Sequence, residues 1–393
     1  MKKFISGILA SITFMSCIPY YFDVINNPMI IVEAVEFEPT EGIYENLTYV
    51  KYDDHIEITH CDESAISVVI PSEIEGLPVT SIGGVAFFDC TGLTEITIPD
   101  SVTSIGYYSF HGTAWYKNQP DGLIYAGKVA HRYKGEMPEN TSVRLKEGTV
   151  SIGDSAFFDC TSLTEIKIPD SVTYIGRYAF SGCTDLTKIN IPDGVTSIED
   201  FVFCNCASLK EVTIPDSVTS IGSNTFYGCT SLTEIKIPNK VTCIGDFAFS
   251  FCESLTEVTI PYSVILIRYH AFSACNNLKK VIILSPDCAI CFGAIPLETI
   301  VYGYEDSFTH ECLDRNKFIA LDAVQEIKGD ANNDSVLDVA DVVAVASYVG
   351  NPEANPLDEQ CIKNADVHNK GDGLTANDAL MIQQYLAKII ENL

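Results

Sequence analysis

Basic residues are scarce in this chain: 24 Lys and Arg stand against 53 Asp and Glu, a formal charge of −29 over 393 residues. So acidic a chain repels nucleic acid and anionic membranes and stays soluble through its own charge. Tryptophan occurs once, at Trp115. The seven histidines (His55, His60, His111, His131, His270, His310 and His368) show no metal-ligand or triad spacing. Neither GxSxG nor HExxH is present, which removes the commonest hydrolase signatures. After the N-terminal segment no stretch reaches 18 uninterrupted apolar residues, so a membrane-spanning helix is not expected.

What the chain has instead is a period. The unit Leu163 to Asp185, LTEIKIPDSVTYIGRYAFSGCTD, is 23 residues long, and it restarts at Leu186, Leu209, Leu232, Leu255 and Leu278. A fixed period of this size dictates a solenoid. Leu163, Ile166 and Ile168 point inward from an extended segment, and Pro169-Asp170 turns the chain. Val172 and Ile175 form a second short apolar segment, Gly176 turns again, and Ala179-Phe180 returns inward before Cys183. One unit cannot bury its own apolar face, so neighbours stack and share a core.

Two columns follow from the register. Phe87, Phe110, Phe157, Phe180, Phe203, Phe226, Phe249 and Phe272 share one position and read as a buried spine. Cys90, Cys160, Cys183, Cys206, Cys229, Cys252 and Cys275 lie three residues later. Although the chain has 15 cysteines, this spacing reads as free thiols acting as small buried hydrophobes rather than as disulfides. No histidine accompanies the column, which argues against metal, and such cysteine usage suits a reducing habitat. Between the inward positions runs a polar ladder: Glu95, Glu165, Lys188, Glu211, Glu234, Glu257 and Lys280, flanked by Thr97, Lys167, Asn190, Thr213, Lys236 and Thr259. Having no aromatics, that ladder is a poor polysaccharide groove.

Taken in order, residues 1–34 read as an export signal, with Lys2-Lys3 before an apolar run from Phe4 to Ile18; the cleavage point is open, with Val32-Glu33-Ala34 offering a small last residue and Ser16-Cys17 a fainter, lipoprotein-like alternative. Residues 35–69 form a cap: an irregular, polar Val35 to Asn46, then a hairpin from Leu47 to Thr59 around Asp53-Asp54. The solenoid occupies 70–325, interrupted by an aromatic-rich insertion at 111–146. That insertion reads either as a ligand surface or, with more weight, as a hairpin whose aromatics pack back on the coil edge. Glu305 to Asn316 suggests a short helix, and Lys317 to Leu321 an extended closing segment.

At the C-terminus, Asp330, Asn332, Asp334, Val336 (through its carbonyl), Asp338 and Asp341 fall at positions 1, 3, 5, 7, 9 and 12 of a 12-residue loop, the oxygen spacing a calcium ion takes. Ser335 replaces the usual turn glycine, and the last ligand is Asp rather than Glu. A second loop runs from Asp366 to Asp378 with one extra residue; Asp366, Asp372, Gly373 and Asp378 are its candidate ligands, with His368 or Asn369 for the remaining place. Each loop opens a helix, with Val342, Val345, Ala346 and Val349 inward in the first, and Leu380, Ile382, Tyr385, Leu386 and Ile389 in the second. So small a core, ringed by carboxylates, is expected to fold only with Ca2+, two ions in all.

The unit LTEIxIPxxVTxIGxxAFxxC resembles the bacterial surface-antigen leucine-rich repeat family (BspA-like). The resemblance implies a β-rich leucine-rich-repeat solenoid used in adhesion or protein recognition, with no catalytic residues. The paired loops at 328–393 resemble a type I-like dockerin of ruminal cellulosome bacteria, a small all-α calcium-binding domain. That resemblance implies a scaffoldin cohesin as partner, met by Val339 and Ala340 in the first half, Ala376 and Asn377 in the second, and Gln383 and Gln384 on the following helix. Together they imply a secreted, non-catalytic cellulosome component. A dockerin-borne carbohydrate-active enzyme or a protease inhibitor is the alternative.

Overall fold

A computed structural model describes residues 39–303, 317–320 and 339–350, together with 357 and 379. The chain divides between Gln119 and Pro120 into two compact units.

In the first unit, β2 (Leu47–Lys51) and β3 (Ile56–Cys61) form the expected antiparallel hairpin, with Tyr52 N–H donating to the His55 carbonyl across the turn at 2.9 Å. The segment expected to be irregular holds a third strand, β1 (Thr40–Tyr44), paired antiparallel with β2. Its composition is poor for a strand, but Gly42 lets the Tyr49 ring lie over the backbone where any Cβ would collide. On its other side β3 pairs in parallel with Leu77–Ile82, which pairs in parallel with Ser104–Ile105. The hairpin therefore occupies the edge that the first coil would otherwise leave open. Val79, Ile82, Phe87, Cys90, Leu93 and Phe110 are all buried, and the Phe87 and Phe110 rings stack at 5.3 Å.

The second unit shows how the 23-residue unit makes a coil. Each IPxxV turn closes on itself: the N–H of Val172, Val195, Val218, Val241 and Val264 donates to the proline carbonyl three residues earlier at 3.0 to 3.1 Å. The strand segments then pair in parallel one unit apart, Ser151 with Tyr174, Lys188 with Glu211, Cys243 with Leu266 and Glu257 with Lys280. Between the ladders Phe157, Phe180, Phe203, Phe226, Phe249 and Phe272 stack at 5.1 to 5.6 Å. Full burial of each such ring contributes roughly 1.5–3 kcal/mol, and the offset stacking adds to it. The cysteines line up beside them, with the thiols of Cys183, Cys206, Cys229, Cys252 and Cys275 donating to the Phe carbonyl 26 residues earlier at 3.0 to 3.3 Å.

The stretch at 111–146 takes the hairpin form, with its aromatics packed back, and adds a coil that the repeat did not announce. It is not a loop standing off the coils. Gly122–Ala126 and Val129–Lys134 form a hairpin, and Val129–Ala130 pairs in parallel with Ser151–Ile152. Thr141–Arg144 pairs in parallel with Leu163–Lys167. Residues 122–144 thus make one further coil in the same ladders, with different side chains. Backbone pairing asks only for N–H and C=O groups, so the coil persists where the apolar signature has gone.

Beyond Leu278 the strands Lys280–Ile283, Ile300–Gly303 and Lys317–Ala320 continue one parallel sheet. The helix expected over 305–316 lies outside the described residues. The helix Val339–Gly350 encloses less than its apolar stripe suggests: Val345 is buried and Val342 half-buried, while Ala346 and Val349, expected inward, are exposed. Only the centre of the stripe is covered, and its flank is open to solvent.

Candidate functional site

The calcium-loop residues Asp330, Asn332, Asp334, Val336, Asp338, Asp366, His368, Asp372, Gly373 and Asp378 lie outside the described residues. So do Ala376, Asn377, Gln383 and Gln384. Of the proposed partner and ligand positions, Val339, Ala340 and Asp341 open the helix Val339–Gly350. Ala379, next to the end of the second loop, is helical and buried. Among the described residues no group of three or more His, Cys, Asp or Glu is placed to hold a metal, and no helix is long and apolar enough to cross a membrane.

The strand face of the second unit carries the polar ladder on exposed or, at Glu165 and Lys280, half-buried positions between buried Ile166, Ile189, Val212, Ile235 and Val258. Two open depressions of about 520 and 860 Å³ lie along it, bordered by Glu165, Lys167, Lys188 and Asn190 in one and by Glu234, Lys236, Glu257 and Thr259 in the other. Charges of opposite sign stand across from one another: Lys188 is in register with Glu211, and Lys280 Nζ lies 3.7 Å from Glu257. Such a surface offers paired charges and hydroxyls over a long, shallow area.

Several buried thiols and His131 are held in their neutral forms. Burial pushes the Cys160 thiol up to about 12 and raises Cys183, Cys229 and Cys252 well above their ordinary value, so none forms the thiolate a nucleophile needs. His131, deep in the core, is held neutral by burial, with Arg132 adding to the effect, and its value falls to about 3. The aromatics of residues 111–146 fold inward as well. Trp115 packs on Phe110 at 4.9 Å, Tyr133 lies against the core, and the Tyr125 hydroxyl accepts from the Lys146 N–H at 2.9 Å.

The turn face holds the feature that the repeat alone did not disclose. Tyr178, Phe201, Phe247 and His270 occupy one position of successive coils, with Asn224 between the two pairs. All five adopt a left-handed backbone, with φ from 55 to 61°. Tyr178 and Phe201 stack at 4.6 Å, Phe247 and His270 at 5.1 Å, and Phe158 and Phe292 meet the two ends edge-on. Beside them, Asp154, Asp200 and Asp246 each accept the backbone N–H of the next coil at 2.7 to 3.1 Å.

A family model described as BspA type leucine rich repeat region matches this chain in six copies, over residues 60–119 and 150–279. Over those residues, just under half of the chain, the sequence is similar to a BspA-type leucine-rich repeat region. The match stops where the irregular coil begins and resumes where the regular ones return. Among solved structures, a leucine rich cell surface protein from Faecalibacterium prausnitzii A2-165 is 24% identical with a TM-score of 0.33, over 72% of this chain and 96% of that one. A leucine rich repeat protein from T. pallidum is 27% identical with a TM-score of 0.28, over 61% and 91% respectively. A xylanase/beta-glucanase of Ruminococcus flavefaciens is 37% identical over 73 residues, which is 16% of this chain and 9% of that relative. The chain therefore spans less than a tenth of that relative's length.

Proposed function

We propose that this is a secreted, non-catalytic cellulosome component, anchored to a scaffoldin cohesin by a calcium-loaded dockerin at 328–393 and presenting its leucine-rich repeats as a recognition or adhesion surface. The observation that carries the anchoring is the double loop. Six oxygen-bearing positions from Asp330 to Asp341 follow the spacing of a calcium loop, and a second acidic loop follows from Asp366 to Asp378. The helix that starts at Val339 sits where a loop-plus-helix module requires one, and the buried, helical Ala379 has the corresponding place after the second loop. The match to the xylanase/beta-glucanase also supports the reading. Identity confined to 16% of this chain and 9% of the relative is what a small shared module gives, not a shared catalytic domain. In the repeats, buried neutral thiols and charge-paired carboxylates offer no activated nucleophile, which favours binding over turnover.

The test is capture of the full chain on immobilised cohesin in calcium and in chelator, with hydrolysis of plant polysaccharides assayed on the same preparation. Calcium-dependent capture without turnover is the expected outcome. Hydrolysis above background makes the chain an enzyme instead.

A further inference from the structure

Where charged residues face one another across the paired strands of the strand face, the signs are opposite, Lys188 against Glu211 and Glu257 against Lys280. One pair breaks that rule. Arg144, at the end of the irregular coil, is in register with Lys167 on the next coil, and among the described strands no other in-register pair carries like charge. Neighbouring strands lie about 4.8 Å apart, and like charges set directly opposite are destabilising. With 24 basic residues against 53 acidic ones, composition makes such a meeting of two cations rare. Little nearby relieves it. The Lys167 side chain makes no ion pair or hydrogen bond among the described residues. Arg144 meets Glu147 at 3.4 Å, but the two side chains are 72 and 77% exposed, and an ion pair so open to water contributes little. Both cations line the depression of about 520 Å³, together with Lys188, Asn190 and Thr213.

We infer that this depression takes an acidic segment of a protein partner, with a carboxylate held between Arg144 and Lys167. This rests on the repeats being a recognition surface, and it names the place on that surface and the chemistry of the partner. A guanidinium presents a planar fork that matches a carboxylate with two parallel N–H···O bonds, and Lys167 adds a second cation one strand away. Past Lys167 the same ladder position is held by Asn190 and Thr213, so a chain running along it meets an amide and a hydroxyl but no acid. The row beside it is mixed, with Glu165 and Glu211 on either side of Lys188. A polymer charged at every unit, such as a polyuronate, brings its charges against Glu147, Glu165 and Glu211, which border the same depression. A peptide carries a carboxylate at one residue and none at the next, and its apolar atoms meet the half-buried Ile168 and Pro169 along the floor. The second depression is unsuited to it: Lys236 is the one basic residue lining it, beside Asp193, Glu211, Asp216, Glu234 and Glu257. Arg144 lies outside the matched repeat copies, which stop at 119 and resume at 150, whereas Lys167 lies inside them. The site is formed where the irregular coil meets the regular ones.

The experiment is an array of immobilised random peptides, each about a dozen residues long, probed with the full chain, with the double variant Arg144→Gln, Lys167→Gln and with Lys236→Gln in the other depression. Thermal melting of each chain and retention on immobilised polygalacturonate accompany it. The peptides bound are expected to be enriched in Asp and Glu. Capture of those peptides should fall about tenfold or more in the double variant and stay unchanged in Lys236→Gln. The double variant should melt at the same temperature or higher, because the opposed charges are gone. Four results overturn the inference: bound peptides without acidic enrichment, acidic peptides captured undiminished by the double variant, a double variant that melts lower because the two cations are structural, or polygalacturonate held through Arg144 and Lys167 while acidic peptides are not. Capture of peptides without acidic enrichment leaves the recognition reading standing and removes only this site, whereas a chain that captures no peptide at all overturns both.

Discussion

At Cys206 the thiol donates to the Phe180 carbonyl at 3.1 Å inside a fully buried column, and burial raises its pKa. The same contact recurs at Cys183, Cys229, Cys252 and Cys275, so each coil uses a thiol as a small apolar plug with one weak hydrogen bond. Native protein at pH 8 should therefore leave these thiols unmodified by a thiol-reactive probe, and denatured protein should expose them. Counting labelled cysteines by mass before and after unfolding tests this, and rapid native labelling at Cys206 would contradict it. His131 makes a second prediction. Its pKa falls from the ordinary 6.5 to about 3, so the folded state binds fewer protons than the unfolded one. The full stability is present above about pH 6.5 and is lost as pH falls toward 3, with a slope of up to about 1.4 kcal/mol per pH unit. Replacing His131→Gln should flatten that part of the stability curve in urea titrations between pH 6 and 4; an unchanged slope would place the acid sensitivity elsewhere.

The coil is the element on which sequence and structure agree best. Leucine, isoleucine, phenylalanine and cysteine recur at fixed positions because each fills one slot of a shared core, so composition and spacing carried the architecture. The turn at Gly176 was legible as well, whereas Gly182, where φ is 77° and a Cβ would collide with Asp159 Oδ1, shows its role only in the structure. A Gly182→Ala change should cost about 1–2 kcal/mol from the left-handed backbone alone, measured by chemical denaturation; a neutral result would mean the Asp159 side chain simply swings away. Three things could not be read. The coil at 122–144 keeps its place through backbone pairing of Val129 with Ser151 and Thr141 with Leu163, which leaves no side-chain signature. The aromatic column was invisible for another reason. Tyr178, Phe201 and Phe247 follow a small or acidic turn like any surface aromatic and share their backbone angle with Val85 and Ser155 in other coils, so only the stacking sets them apart. The strand β1 was likewise hidden by its glycine and acidic residues.

On the scale of the whole molecule, the formal charge of −29 keeps the acidic repeats and the acidic C-terminal loops mutually repulsive. In the proposed dockerin, a divalent cation held by the two acidic loops would relieve that repulsion locally. Metal and folding are then linked, because binding to the folded module alone stabilises it in proportion to the logarithm of free calcium. The repeats, with cores closed by their own stacked rings, should be indifferent to the ion. The most direct measurement is cohesin capture by the full chain across a calcium titration, with Asp330→Ala and Asp334→Ala variants alongside. The account predicts capture that rises with calcium, disappears in chelator, returns on adding calcium back, and fails in both variants while the repeat region stays folded. Capture indifferent to chelator and to both substitutions, or no capture by any scaffoldin cohesin, would contradict it.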